Sequence, residues 1–157
     1  MTIETYHKLS DLPEIIPVFP LSGVLLFPRW SLPLNIFEPR YLNMIDDAMS
    51  GRRMIGMIQS HGNDRVTPDL VATGCAGRIT SYSETDDGRY LISLSGICRF
   101  GVSEELHVQT PYRQVRPDWQ SFAHDLISPP EASLPDRPDL VRSLKRYTQI
   151  NAMEVDW

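Results

Sequence analysis

The chain has 157 residues, of which 41% are hydrophobic and 22% are charged, so it is long enough for one domain with a sizeable core. Its formal net charge of -5 argues against a broadly positive surface of the kind that binds nucleic-acid backbones or anionic membranes. We therefore expect neither a membrane nor a nucleic acid as partner, although these totals leave room for a local basic patch.

The cysteines and the N-terminal segment indicate a reducing compartment. Cys75 and Cys98 are too few for a disulfide framework, and both lie in strand-like runs, so we predict buried free thiols. Residues 1–14 lack the basic start and apolar stretch of a signal peptide. The most apolar segment, residues 15–28, is interrupted by prolines and falls short of the ~20 residues that a membrane helix needs. We expect a cytoplasmic protein.

Prolines interrupt the first strand-like runs, "EIIPVFPLSGVLLFP" and "SLPLNIF", and six of the thirteen prolines lie at or before position 39. Because proline cannot donate to a sheet ladder, we predict that these strands are edges, bulges or sharp corners. Short, bent strands suit a small, strongly coiled barrel better than a flat sheet. The alternation in the second run predicts core positions for Leu32, Leu34 and Ile36, with Phe37 covering the opposite side.

The period changes after Phe37 and predicts a helix over Pro39–Ser50. Pro39 fits the first helical turn, and Glu38 places negative charge at the positive end of the helix dipole. Gly51 offers the C-terminal stop. The predicted apolar face of the helix consists of Tyr41, Leu42, Ile45, Ala48 and Met49, and a short strand is predicted after it, over Met54–Gln59.

The clearest hairpin signal surrounds Thr85–Gly88. The runs "CAGRITSYSE" and "RYLISLSGICRF" flank this turn, and its Asp-Gly pair favours a type I′ geometry. We predict more strand through "GVSEELHVQT" and "YRQVR". Strands at this spacing, interrupted by one helix, indicate a mainly antiparallel barrel with helical additions.

The composition changes after Pro117. The proline-containing stretch that follows reads as an arm over the barrel, anchored by Trp119 and Phe122. Asp136 can cap a last helix, which places Leu140, Leu144 and Tyr147 on one face and Arg142, Lys145 and Arg146 on the other. We divide the chain into a barrel domain over 1–117 and an arm with the start of a C-terminal helical region over 118–157. We expect further helices after Trp157.

The residue pattern predicts no active site. The four histidines form no zinc-binding motif. Glu104-Glu105 and Asp86-Asp87 are adjacent pairs, and neighbouring side chains of a strand point to opposite faces, so they make poor acid–base pairs. His61, Asp64 and Asp69 share a loop that could hold a metal, but an ordinary solvated connection explains them better. We therefore predict no catalytic residues, no metal and no cofactor.

Arginines near the hairpin raise RNA binding as an alternative. Arg78, Arg89 and Arg99 lie in or beside it, with Tyr82 and Tyr90 near by. Arginine interleaved with aromatic residues can grip single-stranded RNA. Cross-strand pairing within the sheet explains the same residues and agrees better with the net charge. A continuous arginine-rich face would favour RNA.

Two long stretches carry a family resemblance. They are "IPVFPLSGVLLFPRWSLPLNIFEPRYLNMIDDAM" and "GCAGRITSYSETDDGRYLISLSGICRF", within residues 12–117. Both resemble, in the same order, the N-terminal domain of the Lon ATP-dependent protease. The resemblance implies a mainly β fold with helices, namely a PUA-like pseudo-β-barrel of about six strands with one inserted helix and a C-terminal helix.

The resemblance also implies binding rather than catalysis. In Lon this domain recognises substrates, whereas ATP hydrolysis and peptide cleavage belong to later domains. The sequence contains no Walker motif and no serine–lysine protease domain, so it resembles the stand-alone bacterial proteins that carry only the N-terminal domain. We predict a non-catalytic module for unfolded or extended polypeptide segments, in the setting of a protease system. An RNA-binding PUA-like module and a small hydrolase are the alternatives, and the sequence leaves the oligomeric state open.

Three residues form the predicted binding site: Trp30, Glu38 and Arg40. Trp30 lies beside a predicted turn, where a large aromatic side chain is either covered by the arm or used for binding. Helix-start chemistry and mutual pairing explain Glu38 and Arg40 structurally, and the functional interpretation makes them the floor of a peptide groove. Edge strands also offer backbone groups to an extended peptide.

Overall fold

The computed structural model describes residues 6–128 and 136–154 of the chain. It contains two compact units, Met1–Ile127 and Ser128–Trp157. The first unit thus extends beyond the boundary at 117 that we predicted. The prolines of the arm within residues 129–135 and the chain end at Trp157 lie outside the described residues. Within the described ranges, no helix is long and apolar enough to cross a membrane.

The first unit is built from six strands and one α-helix in its described part. The elements are β1 (Ile16–Pro20), β2 (Ser31–Ile36), α1 (Pro39–Ser50), β3 (Met54–His61), β4 (Asp69–Glu84), β5 (Tyr90–Glu105) and β6 (Arg113–Asp118), with 3₁₀ segments at Leu9–Asp11 and Gln120–Leu126. The second unit contains α2 (Arg137–Ile150). This composition confirms the predicted mainly β fold of about six strands with helices.

The strands follow the order β2-β5-β4-β3-β1-β6, and β5 also pairs with β6. Five strands therefore close into a ring, and β2 is attached to one of them. The ring closes because β5 is long: residues 90–95 pair with β2, and residues 101–105 pair with β6. Register shifts along β4 and β5 bend the ladder, as expected for short, strongly coiled sheets. Only the β1–β3 pairing is parallel among these described pairs.

The helix α1 spans Pro39–Ser50, as the sequence predicts. Pro39 occupies the first turn and Glu38 the N-cap position, and the Gly51 N–H bonds back to the Ala48 carbonyl (3.1 Å). The buried face of α1 consists of Tyr41, Met44, Ile45 and Ala48, with Leu42 and Met49 packed at its margin. The predicted face is therefore confirmed, with Met44 as an addition.

Buried side chains form two clusters, because alternate residues of β3 face opposite sides of the sheet. Ile55 and Met57 join the cluster under α1, whereas Met54 and Ile58 join the other. Phe100 fills the second cluster. A Cβ at Gly74 would lie 2.7 Å from the Phe100 ring and 2.6 Å from the Met57 carbonyl oxygen, so this position requires glycine.

The hairpin between β4 and β5 is where the sequence places it, but its turn type is different. The Thr85 N–H donates to the Arg89 carbonyl (2.9 Å), and the Gly88 N–H donates to the Thr85 carbonyl (3.0 Å). Gly88 has a φ of 81°, whereas Asp87 is not among the residues with positive φ. A type I′ turn needs positive φ at both of these positions, so the prediction of that type is wrong. The longer loop ends instead on a single left-handed glycine.

Proline positions follow the predicted rule only in part. Pro33 lies in β2, which pairs with β5 alone among the described strands, and this edge position is confirmed. Pro17 and Pro20 lie in β1, which has neighbours on both sides, so this strand as a whole is not an edge of the sheet, although an edge is one of the three predicted settings. The pairing with β6 covers Ile16–Val18 and the pairing with β3 covers Val18–Pro20. Each of these prolines therefore has one partner strand among the described residues, so its missing N–H affects at most one ladder.

The segment after β6 packs on the first unit through both predicted anchors. The Trp119 side chain is buried, and its Nε1–H donates to the Pro13 carbonyl (2.9 Å). Phe122 packs against the second cluster. In the second unit, the described part of α2 buries none of its residues, and Leu140, Leu144 and Tyr147 are exposed on its surface.

Both cysteines are free and buried, as predicted. Burial raises the pKa of each thiol to about 12. Because the thiolate is the reactive form, we expect Ellman's reagent at pH 8 to modify the native protein at least about 100-fold more slowly than the protein unfolded in guanidinium chloride. Rapid stoichiometric modification of the native protein would contradict the burial of these thiols.

Candidate functional site

The first candidate surface is a turn at Phe27–Trp30, here called the aromatic corner. The Trp30 side chain is 67% exposed and that of Phe27 is 48% exposed, and their rings meet edge to face with centroids 5.9 Å apart. Ile127, whose carbonyl lies against this turn, is exposed as well. Of the two interpretations of Trp30, the structure shows the exposed one in the first unit.

Two hydrogen bonds from one arginine fix the backbone of the aromatic corner. The Trp30 N–H donates to the Phe27 carbonyl (3.1 Å), and Arg29 has a φ of 69°, a left-handed conformation in which a turn normally carries glycine. The Arg29 guanidinium donates to the Asp125 carbonyl (2.9 Å) and to the Ile127 carbonyl (2.7 Å). These bonds hold a strained turn in place, and strain of this kind concentrates at functional sites.

The aromatic corner lies directly against β5 because Gly96 has no side chain. The Arg29 N–H donates to the Gly96 carbonyl (2.9 Å), and the Gly96 N–H donates to the Trp30 carbonyl (2.8 Å). A Cβ at Gly96 would lie 1.9 Å from the Phe27 carbonyl oxygen. The sequence therefore presents Trp30 on a turn that is bonded to the sheet on one side and to the 3₁₀ segment on the other.

The second candidate surface is a cleft of about 820 Å³ at the opposite end of β2. It lies between the β2–α1 junction, the loop 62–68 and the start of β6. Its apolar lining includes Phe19, Leu34, Phe37, Val66, Pro68 and Pro111, and its charged lining consists of Glu38, Arg40, Asp64, Arg65 and Arg113. Phe37 is 64% exposed here, so the prediction that it covers the opposite side of the sheet is wrong. Its side chain forms part of the cleft instead.

Glu38 and Arg40 lie together in the cleft. The Arg40 Nε donates to Glu38 Oε2 (3.1 Å), and the guanidinium carbon lies 4.7 Å above the Tyr41 ring centroid. A further guanidinium nitrogen of Arg40 donates to the Val66 carbonyl (3.2 Å). Arg40 thus has the predicted pairing role and, in addition, fastens the loop that closes one side of the cleft. Trp30 does not line this cleft.

The loop 62–68 is held at two further points. The Arg113 guanidinium donates to the Pro68 carbonyl (2.6 Å) and to both carboxylate oxygens of Glu105 (2.6 and 2.8 Å). Asp64 accepts bonds from the Thr67 and Val66 amides and from the Thr67 hydroxyl, and these bonds lower the pKa of Asp64. Hydrogen bonds from Arg113 likewise lower the pKa of Glu105. These bonds fix the conformation of the loop 62–68, which forms one wall of the cleft.

The carboxylates that line the cleft, Glu38 and Asp64, and the nearby Glu105 are engaged in this framework rather than arranged for proton transfer. Glu38 is paired with Arg40, Glu105 with Arg113, and Asp64 with the backbone of its own loop. A general base needs a nucleophile or substrate proton within reach, together with an orienting group, and these pairs offer structural bonds instead. Among the described residues, no group of three or more histidine, cysteine, aspartate or glutamate side chains is placed to hold a metal ion.

The arginines that suggested RNA binding have three separate partners. Arg78 donates to the Tyr6 hydroxyl (3.0 Å), Arg89 pairs with Asp87 (2.9 Å), and Arg99 pairs with Asp125 (2.9 Å). These contacts support the structural interpretation of each side chain. They do not support the alternative of an RNA-gripping face.

Phe27, Phe37 and Arg113 are the site residues that sequence reasoning did not identify. Phe27 lies three residues before Trp30. This spacing is compatible with a turn, and it is the sequence feature that could have identified Phe27 as a site residue. Phe37 looked like a sheet-covering residue, since alternation alone cannot tell an open face from a covered one. Arg113 reaches the cleft from β6, and no local pattern connects it with the loop 62–68.

A sequence model described as the ATP-dependent protease La (LON) substrate-binding domain matches residues 15–153. The chain belongs to this family. Among curated relatives, the Lon protease of Desulfosudis oleivorans is 34% identical over 94 residues, and Lon protease 2 of Myxococcus xanthus is 29% identical over 112 residues. These alignments cover 57% and 69% of this chain but only 12% and 13% of the two Lon proteins, so the chain spans a small part of their length.

Solved structures agree on the fold. A Lon N-terminal domain protein from Xanthomonas campestris superposes with a TM-score of 0.57 at 24% identity, over 87% of this chain and 73% of that one. The N-terminal domain of a Lon protease from the Mycobacterium avium complex gives a TM-score of 0.53 at 15% identity, over 88% and 72%. The Lon N-terminal fold predicted from the sequence is confirmed.

Proposed function

We propose that this chain is a non-catalytic module that binds unfolded or extended segments of client polypeptides within a protease system. The description of its family as a substrate-binding domain supports this role. The observation that carries the proposal is the aromatic corner, where Phe27 and Trp30 are exposed on a backbone fixed by Arg29 and Gly96. We propose a cytoplasmic location, in agreement with two free, buried thiols.

An exposed aromatic pair of this kind suits the capture of apolar segments. Tryptophan and other large aromatic residues contribute disproportionately to protein–protein binding. A fixed backbone reduces the conformational entropy lost when a partner binds, and this loss is one of the main costs of association. A solvated apolar surface that is held in place is therefore better explained by a partner than by folding.

The cleft fits binding better than catalysis. Its two carboxylates, Arg40 and Arg113 are engaged in ion pairs or in hydrogen bonds to the backbone, and most of its uncharged lining is apolar. We therefore assign it the recognition of side chains. We also propose that cleavage of a bound client belongs to a partner protein or another domain, as the Lon relatives suggest by their much greater length.

Binding to a permanently unfolded protein tests this function. The probe is fluorescein-labelled, reduced and carboxymethylated α-lactalbumin, and the measurement is its fluorescence anisotropy on titration. We expect Trp30→Ala to weaken binding about ten-fold, the effect of a typical aromatic anchor. Val108→Ala removes an exposed apolar side chain elsewhere and should leave the affinity unchanged.

The same titration with a labelled single-stranded RNA oligonucleotide distinguishes an RNA-binding module from a module that binds unfolded polypeptides. RNA binding that is tighter than protein binding, or a Trp30→Ala variant that binds the unfolded protein as well as the original chain, would refute the proposed function. Thermal unfolding of both variants monitors the fold, and we expect little change because both side chains are exposed.

A further inference from the structure

We propose that the bound segment is an extended strand of alternating apolar and polar residues, which adds to the outer edge of β2. This inference rests on the proposed function and specifies the binding mode. It joins three observations, namely an unpaired strand edge, half-buried side chains along that edge, and the two candidate surfaces at its ends.

The backbone of β2 has a free side. In the described part of the chain, β2 pairs with β5 and with no second strand. The Gly96 N–H donates to the Trp30 carbonyl, which directs position 30 toward β5. Because backbone groups alternate along an antiparallel pair, the groups of Ser31, Pro33 and Asn35 point outward. The outer edge thus offers three carbonyl acceptors and the N–H donors of Ser31 and Asn35.

Two of the inward-facing side chains of β2 are only partly buried, as expected for a strand that has a neighbouring strand on one side only among the described residues. Leu32 and Leu34 pack against the core cluster under α1 but are only partly buried, whereas their β5 partners Leu94 and Ile92 are buried. A further strand would carry side chains on this same face at every second position. Apolar side chains at those positions would cover the two leucines, and polar side chains would alternate with them toward solvent.

The ends of β2 coincide with the two candidate surfaces. Trp30 immediately precedes the strand, and Phe37 immediately follows it and lines the cleft. A six-residue strand is about 20 Å long at the usual rise per residue, so a segment of about six to eight residues would reach from the aromatic corner to the cleft. The aromatic corner and the cleft are then the two ends of one continuous binding site along β2, and not separate sites.

Pro33 gives this edge a specific property. It occupies an outward position and has no N–H, so an added strand forms one bond fewer at the middle of the edge. Proline on an edge strand is also a known protection against uncontrolled strand pairing. The edge is therefore suited to weak, reversible capture of a strand, which agrees with a client that must be released.

Selective N-methylation of a peptide tests strand addition directly. The probe is a fluorescein-labelled ten-residue peptide that alternates valine with threonine or lysine. One version is N-methylated at two valines and another at two of the intervening residues. Only alternate N–H groups of a strand face a given neighbour, so we expect one version to bind at least ten-fold more weakly and the other to bind within about three-fold of the parent.

A gain-of-binding variant provides the complementary measurement. Pro33→Val adds an outward N–H without removing a bond to β5, so we expect the parent peptide to bind several-fold more tightly. The control is Pro117→Val in β6, which lies beside the far part of β5 and should leave binding unchanged. If circular dichroism shows that Pro33→Val does not fold, the binding of the two N-methylated peptides to the unchanged chain still tests strand addition.

The outcomes separate this inference from the proposed function. Equal weakening by both N-methylated versions, or binding of unfolded α-lactalbumin without any binding of the alternating peptide, would overturn strand addition and leave the binding function standing. Binding of neither probe would overturn both.

Discussion

The substitution Ile36→Ala is expected to lower the free energy of unfolding of the first unit by about 2–5 kcal/mol, the range for removing a large aliphatic side chain from a packed core. Ile36 is the last residue of β2 and is only 1% exposed, and it packs in the cluster that α1 covers. The space left by its truncated side chain would lie between the sheet and the helix, where both elements are held by their own hydrogen bonds and cannot collapse fully. Urea denaturation monitored by circular dichroism provides the measurement.

The neighbouring residue supplies a matched control. Phe37 is larger than Ile36 but lies in the open cleft, so Phe37→Ala should change the free energy of unfolding by no more than about 0.5 kcal/mol. Equal urea midpoints for Ile36→Ala and the unchanged chain would refute the core position of Ile36. A large loss of stability in Phe37→Ala would show instead that the aromatic ring is covered.

The substitution Asp125→Asn is expected to cost about 3 kcal/mol, at the lower end of the range for removing one partner of a buried ion pair. Asp125 is only 6% exposed and accepts bonds from the Arg99 amide, Nε and a terminal guanidinium nitrogen, each at 2.9 Å. The Arg99 guanidinium is partly solvated, so water lowers the cost of leaving it without its carboxylate. The loss would loosen the end of the 3₁₀ segment, where the carbonyls of Asp125 and the following Ile127 hold Arg29 at the aromatic corner.

The ion pair between Asp125 and Arg99 should also affect how the stability of the protein depends on pH. Burial by itself would raise the pKa of Asp125, but the hydrogen bonds and charge of Arg99 outweigh it, so the pKa in the folded protein lies below the usual value. A carboxylate with a lowered pKa stabilises the fold at neutral pH, and this contribution is lost as the pH falls from about 4 toward the folded pKa. The unchanged chain should therefore lose stability over this acidic interval, and Asp125→Asn should lack that part of the loss.

An exposed ion pair provides the comparison for Asp125. Glu104 and Arg116 are both exposed and lie 3.5 Å apart, so Glu104→Gln should change stability by no more than about 0.5 kcal/mol. If Asp125→Asn were as mild as Glu104→Gln in urea denaturation at pH 7, the buried pair would not be a major support of the segment after β6.

The predictions from sequence were most accurate where the signal is local. The helix α1 begins at Pro39 and ends at Ser50, as predicted, because the Glu38-Pro39 start and the Gly51 stop act on adjacent backbone groups. The hairpin was located correctly for the same reason, although the left-handed conformation at Gly88 alone, and not at Asp87, gave a different turn. The alternation along β2 likewise predicted that Ile36 is buried, whereas Leu32 and Leu34, predicted as core positions with it, are only partly buried.

The candidate site was predicted in part. Glu38 and Arg40 are paired and line the cleft, and Trp30 is exposed, but no sequence pattern revealed that Trp30 and the cleft lie at opposite ends of one free strand edge. Alternation predicts a covered position for Phe37, because it distinguishes the two faces of a strand but does not show what lies over each face. Arg113 closes the loop wall from a position 45 residues away from Pro68 in the chain.

The sequence by itself determined the helix, the hairpin and the mainly β class, because turn chemistry and periodicity depend on residues within a few positions of one another. The family followed from the resemblance of two long stretches to the Lon N-terminal domain. Only the tertiary structure decided the parallel β1–β3 pairing, the closure of the ring through β5 and β6, and the edge of β2 that no other described strand covers. These features depend on which distant segments share a ladder. Burial of a side chain likewise depends on neighbours that the chain supplies from far away.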